Sequence, residues 1–218
     1  MSSSKDFILW GSAGHAKVLY DILQADRGNV MALFDNNPSA ETALNKVPLY
    51  IGEAGLREWM DTHRNIQPHA AVAIGGHRGQ DRVAILAMLE SYGLKTPTVL
   101  HSSACVSPTS QIGRGSQILA MSVVAADASL GRGVIINHGG IVDHECEIGE
   151  GCHIAPGAKL CGCVRLGDHV FIGAGATVIP RVSIGSNTII GAGSVVTRNI
   201  PPNSVAYGSP AKIQDHKL

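Results

Sequence analysis

The chain has 218 residues, of which 44% are apolar and only 4% are aromatic, while glycine accounts for 26 positions. This length predicts one ordinary domain or two small ones, and the glycine content favours thin, tightly wound elements over a bulky core. Lys plus Arg and Asp plus Glu both number 17, so no net charge favours nucleic acid or an anionic membrane as a partner.

Neither a targeting signal nor a membrane span is recognisable in the sequence. The polar start at residues 1–6 has no cationic segment followed by an apolar run. No stretch approaches the roughly 18 uninterrupted apolar residues of a transmembrane helix. Five cysteines, an odd number, do not predict a disulfide framework. We therefore expect a cytoplasmic protein that binds neither membranes nor nucleic acid.

The first hundred residues predict a small parallel α/β domain. An apolar strand at 7–10 is followed by a glycine turn at 11–15, a helix at 16–24 and a second strand at 30–34. A glycine turn before a helix lets the backbone approach a phosphate. Asp35, at the end of the second strand, can hold a ribose hydroxyl. The turn lacks the full dinucleotide fingerprint, so a purely structural turn is the alternative.

A six-residue repeat occupies the rest of the chain. Every sixth residue from Val106 to Val196 is Leu, Ile or Val, and compact residues stand four places after these apolar positions. Glycine follows the apolar position at every third hexad: Gly113, Gly131, Gly149, Gly167 and Gly185. Three hexads therefore form one coil of a parallel β-helix, with coils about 4.8 Å apart. At the glycine corner we expect a φ angle that other residues avoid.

Four short motifs make the chain similar to a known family: Gly11-Ser12-Ala13-Gly14-His15, Leu100-His101-Ser102-Ser103-Ala104, Asp143-His144-Glu145-Cys146-Glu147-Ile148-Gly149 and Gly208-Ser209-Pro210-Ala211-Lys212. The chain resembles the sialic acid O-acetyltransferase family of hexapeptide-repeat enzymes. Within it, the resemblance is closest to bacterial enzymes that N-acetylate UDP-4-amino sugars for bacillosamine-type glycans. This implies a Rossmann-like nucleotide-sugar-binding domain at 1–100 and a left-handed parallel β-helix at 101–218. It also implies a homotrimer with acetyl-CoA between neighbouring subunits.

The resemblance also implies roles for individual residues. His144 is the expected general base, Glu145 its polarising neighbour, and no metal is expected. The residues expected to bind the nucleotide sugar are Ala13, Gly14, His15, Asp35, Asn36 and Gly75. The residues expected to contact acetyl-CoA are His153, Ala174 and Ala192.

Acetyl transfer to an amine needs a base, an oxyanion donor and aligned substrates. Histidine titrates near neutrality, so His144 suits removal of the proton from the attacking amine. Three acids flank it, and the sequence does not show which one contacts the ring: Asp143, Glu145 and Glu147. The backbone N–H of Gly162 is the candidate oxyanion donor, and Asn137 the candidate for orienting the sugar or the base. Since no nucleophile–base pair is evident, we expect direct transfer in a ternary complex.

Other interpretations of the same residues remain open at this point. His138 is an alternative base, and His138, His144 and His153 together are an alternative zinc site across a trimer interface. Cys146 and Cys152 are predicted to pack as small apolar residues. The alternative functions are a sugar or sialic acid O-acetyltransferase with the same base, and a non-catalytic nucleotide-sugar sensor or trimeric scaffold.

Overall fold

The computed structural model describes residues 5–214, which divide into two compact units. The first unit holds the described residues up to Ile74 together with Ala84–Val99, and the second holds Gly75–Val83 and the residues from Leu100 onward. The predicted boundary after residue 100 therefore differs from these units chiefly in the segment Gly75–Val83. Within the described part of the chain, no helix has the length and apolar character needed to cross a membrane.

The first unit is a parallel α/β layer. Its strands pair in the order β3-β2-β1-β4, and all pairs are parallel. The strands are β1 (Asp6–Trp10), β2 (Asn29–Asp35), β3 (Leu49–Ile51) and β4 (His69–Val72), and the helices are α1 (Gly14–Ala25), α2 (Gly52–Thr62) and α3 (Gly79–Ser91), whose first residues belong to the second unit. Parallel sheets are covered on both faces, which explains the continuous apolar run of β1.

Aromatic contacts fix the core of this unit. Trp10 and Phe34, on neighbouring strands, stack with ring centroids 5.7 Å apart, and Trp59 of α2 meets Phe34 edge-on at 6.2 Å. At the end of β1, Gly11 has φ +109°, and a Cβ there would lie 2.5 Å from the carbonyl oxygen of Ala73. Only glycine fits this position, so the turn that leads into α1 has a fixed geometry.

The strands from residue 99 onward form a parallel β-helix, which confirms the predicted fold; each strand has two residues except the last two, which have four and three. In chain order the strands are β5 (Val99–Leu100), β6 (Cys105–Val106), β7 (Gln111–Ile112), β8 (Gln117–Ile118), β9 (Val123–Val124), β10 (Ser129–Leu130), β11 (Ile135–Ile136), β12 (Ile141–Val142), β13 (Glu147–Ile148), β14 (His153–Ile154), β15 (Lys159–Leu160), β16 (Arg165–Leu166), β17 (Phe171–Ile172), β18 (Thr177–Val178), β19 (Ser183–Ile184), β20 (Ile189–Ile190), β21 (Val195–Val196), β22 (Val205–Gly208) and β23 (Ala211–Ile213).

Every third strand of the helix pairs in parallel to form three faces. One face is β7-β10-β13-β16-β19, a second is β6-β9-β12-β15-β18-β21, and the third contains β8-β11-β14-β17-β20-β22, with β23 added antiparallel to β22. The register joins each residue to the one 18 positions later, as in Leu130 with Ile148 and Ile136 with Ile154. From Ile118 onward the repeated apolar residues are buried inside the prism, whereas Val106 and Ile112 are half-buried at its first coil.

The predicted reason for the repeated corner glycines is wrong. None of these five glycines is among the residues of positive φ. A Cβ on Gly149 would instead lie 2.5 Å from the carbonyl carbon of Gly167, and one on Gly131 would lie 2.7 Å from the nitrogen of Glu150. Glycine is needed because the backbones of successive coils approach each other too closely for a side chain.

Cys146 and Cys152 pack inside the prism, as predicted. Both side chains are fully buried, and their thiols donate to the carbonyl oxygens of Cys161 at 3.3 Å and Gly167 at 3.0 Å. Burial raises the pKa of the Cys146 thiol to about 11 and that of Cys152 to about 12. Both residues therefore remain neutral thiols and do not serve as nucleophiles.

Arg82 ties the segment Gly75–Val83 to the coils of the second unit. Its side chain is completely buried, and its guanidinium donates to the carbonyl oxygens of Gly133 at 2.7 Å, Gly151 at 2.6 Å and Cys152 at 3.2 Å. Burial lowers the pKa of Arg82 to about 10, so the group is still charged at neutral pH. This charge is stabilised by backbone carbonyl groups that lie at one corner of the prism.

Replacing Arg82 by Met is expected to lower the free energy of unfolding by about 3 kcal/mol, because charge-assisted bonds to buried carbonyls are lost. Urea unfolding followed by circular dichroism measures the change. Arg78→Met is the matched control, since the Arg78 side chain is 60% exposed and pairs with Asp81 on the surface; there the change should stay within about 0.5 kcal/mol. Equal decreases in the free energy of unfolding of Arg82→Met and Arg78→Met would contradict the role of Arg82 in anchoring the segment Gly75–Val83.

Candidate active site

His144 and Glu145 occupy the corner turn between β12 and β13. The Nδ1 atom of His144 lies 3.0 Å from Oε2 of Glu145, and the two side chains are 54% and 63% exposed. Glu145 has φ +56°, a left-handed conformation that turns its carboxylate toward the preceding ring. A carboxylate accepts a hydrogen bond, so Nδ1 carries the imidazole proton and the lone pair is at Nε2.

The three acids around His144 have separate partners. Glu145 is the acid that contacts the ring. The Oδ1 atom of Asp143 accepts the backbone N–H of His144 at 2.8 Å, which fixes the turn. Glu147 pairs with Arg165 on the next coil at 3.3 Å. The structure thus resolves which neighbour can polarise the imidazole, a question that the sequence left open.

Gly162 lies directly against the imidazole of His144. The two residues occupy the same corner of successive coils, in a column that comprises Ala126, His144, Gly162 and Pro180. A Cβ on Gly162 would lie 2.5 Å from Cε1 of His144 and closer still to Nε2. Ala126 and Pro180 carry a Cβ at the same corner, so the turn itself does not require glycine. Position 162 lacks a side chain where the ring needs the space.

The amide of Gly162 is available for a ligand. Across residues 5–214, no protein acceptor bonds its N–H, whereas its carbonyl oxygen accepts from Arg181 N at 3.1 Å. The preceding N–H, of Cys161, is bound to the carbonyl of Val178 at 3.0 Å. Among residues 5–214 Gly162 therefore offers an N–H without a protein acceptor next to the His144 ring, and its role as an oxyanion donor stays a prediction.

Asn137 and His153 form a second polar arrangement in the β-helix. The ring of His153 is 5% exposed; its Nδ1 lies 3.1 Å from the carbonyl oxygen of Gly76, and its Nε2 lies 3.1 Å from Nδ2 of Asn137. Since a carbonyl only accepts, Nδ1 donates and Nε2 accepts from the amide. The Oδ1 atom of Asn137 accepts from the N–H of His138 at 2.8 Å, which fixes the orientation of the amide. Phe171 contacts the His153 ring edge-on at 5.4 Å.

The family resemblance assigns His153 to acetyl-CoA, and on that assignment replacing Asn137 by Ala is expected to lower kcat/KM for acetyl-CoA about fivefold to tenfold, because the ring loses a positioning hydrogen bond worth about 1 kcal/mol. Steady-state kinetics with varied acetyl-CoA measures this, and KM should rise more than kcat falls. Asn187→Ala is the matched control, since Asn187 is a corner asparagine that contacts Asn203 instead. An unchanged KM in Asn137→Ala would argue against a positioning role.

In the first unit, Asp35 holds the glycine turn in place. Its Oδ2 accepts the backbone N–H of Ser12 at 3.0 Å and the Ser12 hydroxyl at 2.9 Å, and its Oδ1 accepts the N–H of Asn37 at 3.0 Å. Helix α1 begins at Gly14 after Ala13, without a side-chain cap on its first turn. A Cβ on Gly14 would meet no atom within 4 Å, so the start of the helix is open to a ligand.

Comparisons with known proteins agree with this architecture. Residues 6–85 match the PglD N-terminal domain family, and residues 163–198 match the bacterial transferase hexapeptide (six repeats) family. The chain is 35% identical to PerB from Caulobacter crescentus, solved in complex with CoA and GDP-perosamine, with a TM-score of 0.87 and 98% of each chain covered. The chain belongs to the family of bacterial nucleotide-sugar N-acetyltransferases with hexapeptide repeats.

Two further solved structures are similar over nearly the whole chain. The acetyltransferase domain of PglB from Neisseria gonorrhoeae FA1090, in complex with acetyl coenzyme A, is 29% identical with a TM-score of 0.83, covering 97% of this chain and 100% of the other. WeeI from Acinetobacter baumannii AYE is 25% identical with a TM-score of 0.81 and the same coverage. No curated protein sequence gives a significant match. The predicted family and enzyme class are confirmed.

The residues that the acetyltransferase family resemblance assigned to acetyl-CoA differ in accessibility. Ala174 and Ala192 are exposed and share one corner column with His138 and Pro156. His153, by contrast, is buried beneath Gly76, so at most its edge is accessible to a ligand. The small side chains of Ala174 and Ala192 leave the surface of this column open. These contacts with acetyl-CoA remain predictions.

The alternative zinc site is not formed within one chain. Among the described residues, the group of side chains close enough to hold a metal contains His144, Glu145 and Cys163, and it includes neither His138 nor His153. The ring nitrogens of His153 are engaged by Asn137 and Gly76. His138 is exposed at the adjoining corner, and within residues 5–214 its ring is not paired with a carboxylate.

Proposed function

We propose that this enzyme transfers the acetyl group of acetyl-CoA to the 4-amino group of a nucleotide-linked amino-dideoxy sugar, with His144 as the general base. The observation that carries the proposal is the geometry of the His144 ring. Its Nδ1 is paired with Glu145, while its Nε2 lies against Gly162, which has an unbonded amide N–H. Base and oxyanion donor are thus adjacent.

The reaction follows from these positions. The sugar amine attacks the thioester carbonyl carbon, and Nε2 of His144 takes the proton that the nitrogen sheds. The carboxylate of Glu145 stabilises the resulting imidazolium through Nδ1. The N–H of Gly162 donates to the oxyanion of the tetrahedral intermediate. Collapse of the intermediate breaks the carbon–sulfur bond, and the CoA thiolate leaves and regains a proton from the imidazolium. No bond to the enzyme forms, consistent with direct transfer in a ternary complex.

The nucleotide end of the acceptor is assigned to the first unit. The start of α1 at Ala13 and Gly14 offers backbone N–H groups to an anionic group, and His15 follows in the same turn. Asp35 holds the turn through Ser12, and Asn36, the next residue in the chain, is assigned to the nucleotide by the family resemblance. The family resemblance also assigns Gly75, a residue of the second unit, to the phosphates. UDP is the nucleotide that the resemblance favours, whereas PerB was solved with GDP-perosamine. The nucleotide base is therefore the first variable to test.

Two further properties belong to the proposal. The family resemblance predicts a homotrimer with acetyl-CoA bound between neighbouring subunits, and it predicts a cytoplasmic location. Ala174 and Ala192 are exposed and have small side chains, which supports an extended ligand at this part of the corner column.

The test is acetyl transfer measured by two readouts, thiol release from acetyl-CoA and mass spectrometry of the product. The acceptors are UDP-2-acetamido-4-amino-2,4,6-trideoxyglucose, GDP-perosamine and sialic acid. The matched control acceptor is the UDP sugar with its 4-amino group already acetylated. We expect rapid transfer to one nucleotide-linked amine and none to the blocked sugar. Transfer to sialic acid alone would replace the proposal with sugar O-acetylation, and no transfer to any acceptor would support a sensor.

A further inference from the structure

A cysteine lies beside the proposed base and contributes nothing to the reaction described above. Cys163 follows Gly162 in the corner turn, and its Sγ is 3.7 Å from Oε2 of Glu145. The ligand atoms of His144, Glu145 and Cys163 all lie within 4.8 Å of one another. The first two side chains are exposed and the third is partly exposed, so a dissolved ion reaches all three.

Two of the three separations lie close to those of ligands around a tetrahedral zinc ion, and the third, from the His144 ring nitrogen to Sγ of Cys163, is within 4.8 Å. With bond lengths of about 2.0–2.3 Å, two tetrahedral donors lie about 3.4–3.6 Å apart. The observed distances are 3.0 Å from Nδ1 of His144 to Oε2 of Glu145, and 3.7 Å from Sγ of Cys163 to the same oxygen. Imidazole, carboxylate and thiolate are the donor types that zinc selects, and three protein ligands leave a fourth position open.

The backbone holds these ligands in place before any ion arrives. Glu145 and Cys163 stand at the same corner of successive coils and share a left-handed conformation, with φ of +56° and +61°. The N–H of Cys163 donates to the carbonyl oxygen of His144 at 2.9 Å, and the N–H of Glu145 donates to Ala126 at 2.9 Å. The turns that carry the three ligands are therefore fixed by backbone hydrogen bonds before an ion binds.

We infer that His144, Glu145 and Cys163 form a binding site for a soft divalent cation of the zinc class, and that occupation of this site inhibits the enzyme. The ion binds Nδ1 of His144, Oε2 of Glu145 and the thiolate of Cys163, whose proton leaves to solvent. An imidazole with a metal on Nδ1 carries its proton on Nε2. The lone pair that accepts the proton of the amine is then lost. The inference that the ion inhibits the enzyme rests on the proposed role of His144, whereas the inference that the ion binds does not.

Binding is tested first with Co²⁺ on the purified enzyme, without CoA because the CoA thiol itself binds metals. Wild type is expected to bind one equivalent of Co²⁺ and to show a thiolate-to-cobalt charge-transfer band, which Zn²⁺ abolishes by competition. Cys163→Ala should lose the band and bind Zn²⁺ more weakly by about 100-fold, because the softest ligand is gone. Cys105→Ser, at an exposed free cysteine outside the site, is the matched control and should behave as wild type.

Inhibition is tested by chromatographic measurement of the acetylated sugar, since thiol reagents react with cysteine and compete with metals. Zn²⁺ should inhibit wild type and Cys105→Ser reversibly, with recovery on addition of EDTA. Cys163→Ala should keep its activity in EDTA and need about 100-fold more Zn²⁺ for the same inhibition. A missing thiolate band in wild type, or equal affinity in Cys163→Ala, would overturn the site. If no acceptor is acetylated, the cobalt spectrum still decides whether the site exists.

Discussion

Replacing His144 by Asn is expected to lower kcat by about 10²–10⁴-fold, the contribution of a positioned general base. Asparagine has no lone pair that takes a proton near neutral pH, but it preserves much of the volume and the polarity of the imidazole. The KM values for acetyl-CoA and for the sugar should change little, because neither substrate depends on proton transfer for binding. Stopped-flow or steady-state measurement of product formation, with EDTA present, gives both constants.

The matched control for this variant is His138→Asn. His138 is also an exposed corner histidine, six residues earlier in the chain, and it was the alternative base. Its replacement should leave kcat within about twofold, since in the described residues no carboxylate contacts its ring. A large loss in His138→Asn together with an active His144→Asn would transfer the role of base to His138. Comparable decreases in kcat in His144→Asn and His138→Asn would show that the corners that carry these two histidines act as one site.

A variant of Glu145 tests the other member of the His144–Glu145 pair, and its expected effect on kcat is smaller. Glu145→Gln keeps the shape of the side chain but removes the negative charge beside Nδ1 of His144. The imidazolium that forms in the transition state then loses an electrostatic partner, and kcat should fall by about tenfold. The effect is smaller than that of His144→Asn because both side chains are more than half exposed and water screens the pair.

The fold was predictable because the β-helix depends on a short-range repeat. Each hexad has its own apolar residue, and 18-residue spacing decides which strands pair, so the register follows from the sequence alone. The first unit was less completely predictable. Strand β3 and helix α2 were not anticipated, because their segment is short and mixed in polarity. The role of the corner glycines was predicted wrongly. Their spacing shows that glycine is required, but it does not show whether a positive φ or the close approach of neighbouring backbones is the cause.

The sequence indicates which residue types compose the candidate site, but not how they are arranged. The sequence indicates a histidine among three acids, but side-chain directions at a corner decide that Glu145 and not Asp143 or Glu147 contacts the ring. The contact of His153 with Gly76 joins residues 77 positions apart, and no local pattern reveals such a pair. The buried anchor Arg82 was also missed, because an arginine in a predicted helix normally has an exposed side chain.

Replacing Gly162 by Ala is expected to lower kcat by about 100-fold while the protein stays folded. The added methyl group would stand 2.5 Å from Cε1 of His144, so the ring must rotate away from Glu145 or the turn must shift. A displacement of about 1 Å at a reacting group costs about 10² in rate. The φ of Gly162 is not positive and the same corner carries a Cβ at Ala126, so alanine fits the backbone itself. Product formation gives kcat, and circular dichroism with thermal melting verifies the fold.

Ala126→Gly is the control, because it changes one methyl group at the equivalent corner of the preceding coil, where no imidazole needs the space. Its kcat should stay within about twofold of wild type, since it gives the ring no new contact. If Gly162→Ala retained full activity, the ring of His144 would have to function in another orientation, and the pairing of Nδ1 with Glu145 would not define the base. A loss of rate accompanied by a lower KM for acetyl-CoA would indicate instead that the methyl group stabilises the bound thioester. A loss in kcat with unchanged KM is the outcome expected from displacement of the His144 ring, because alanine keeps the backbone N–H and ground-state binding does not use the base.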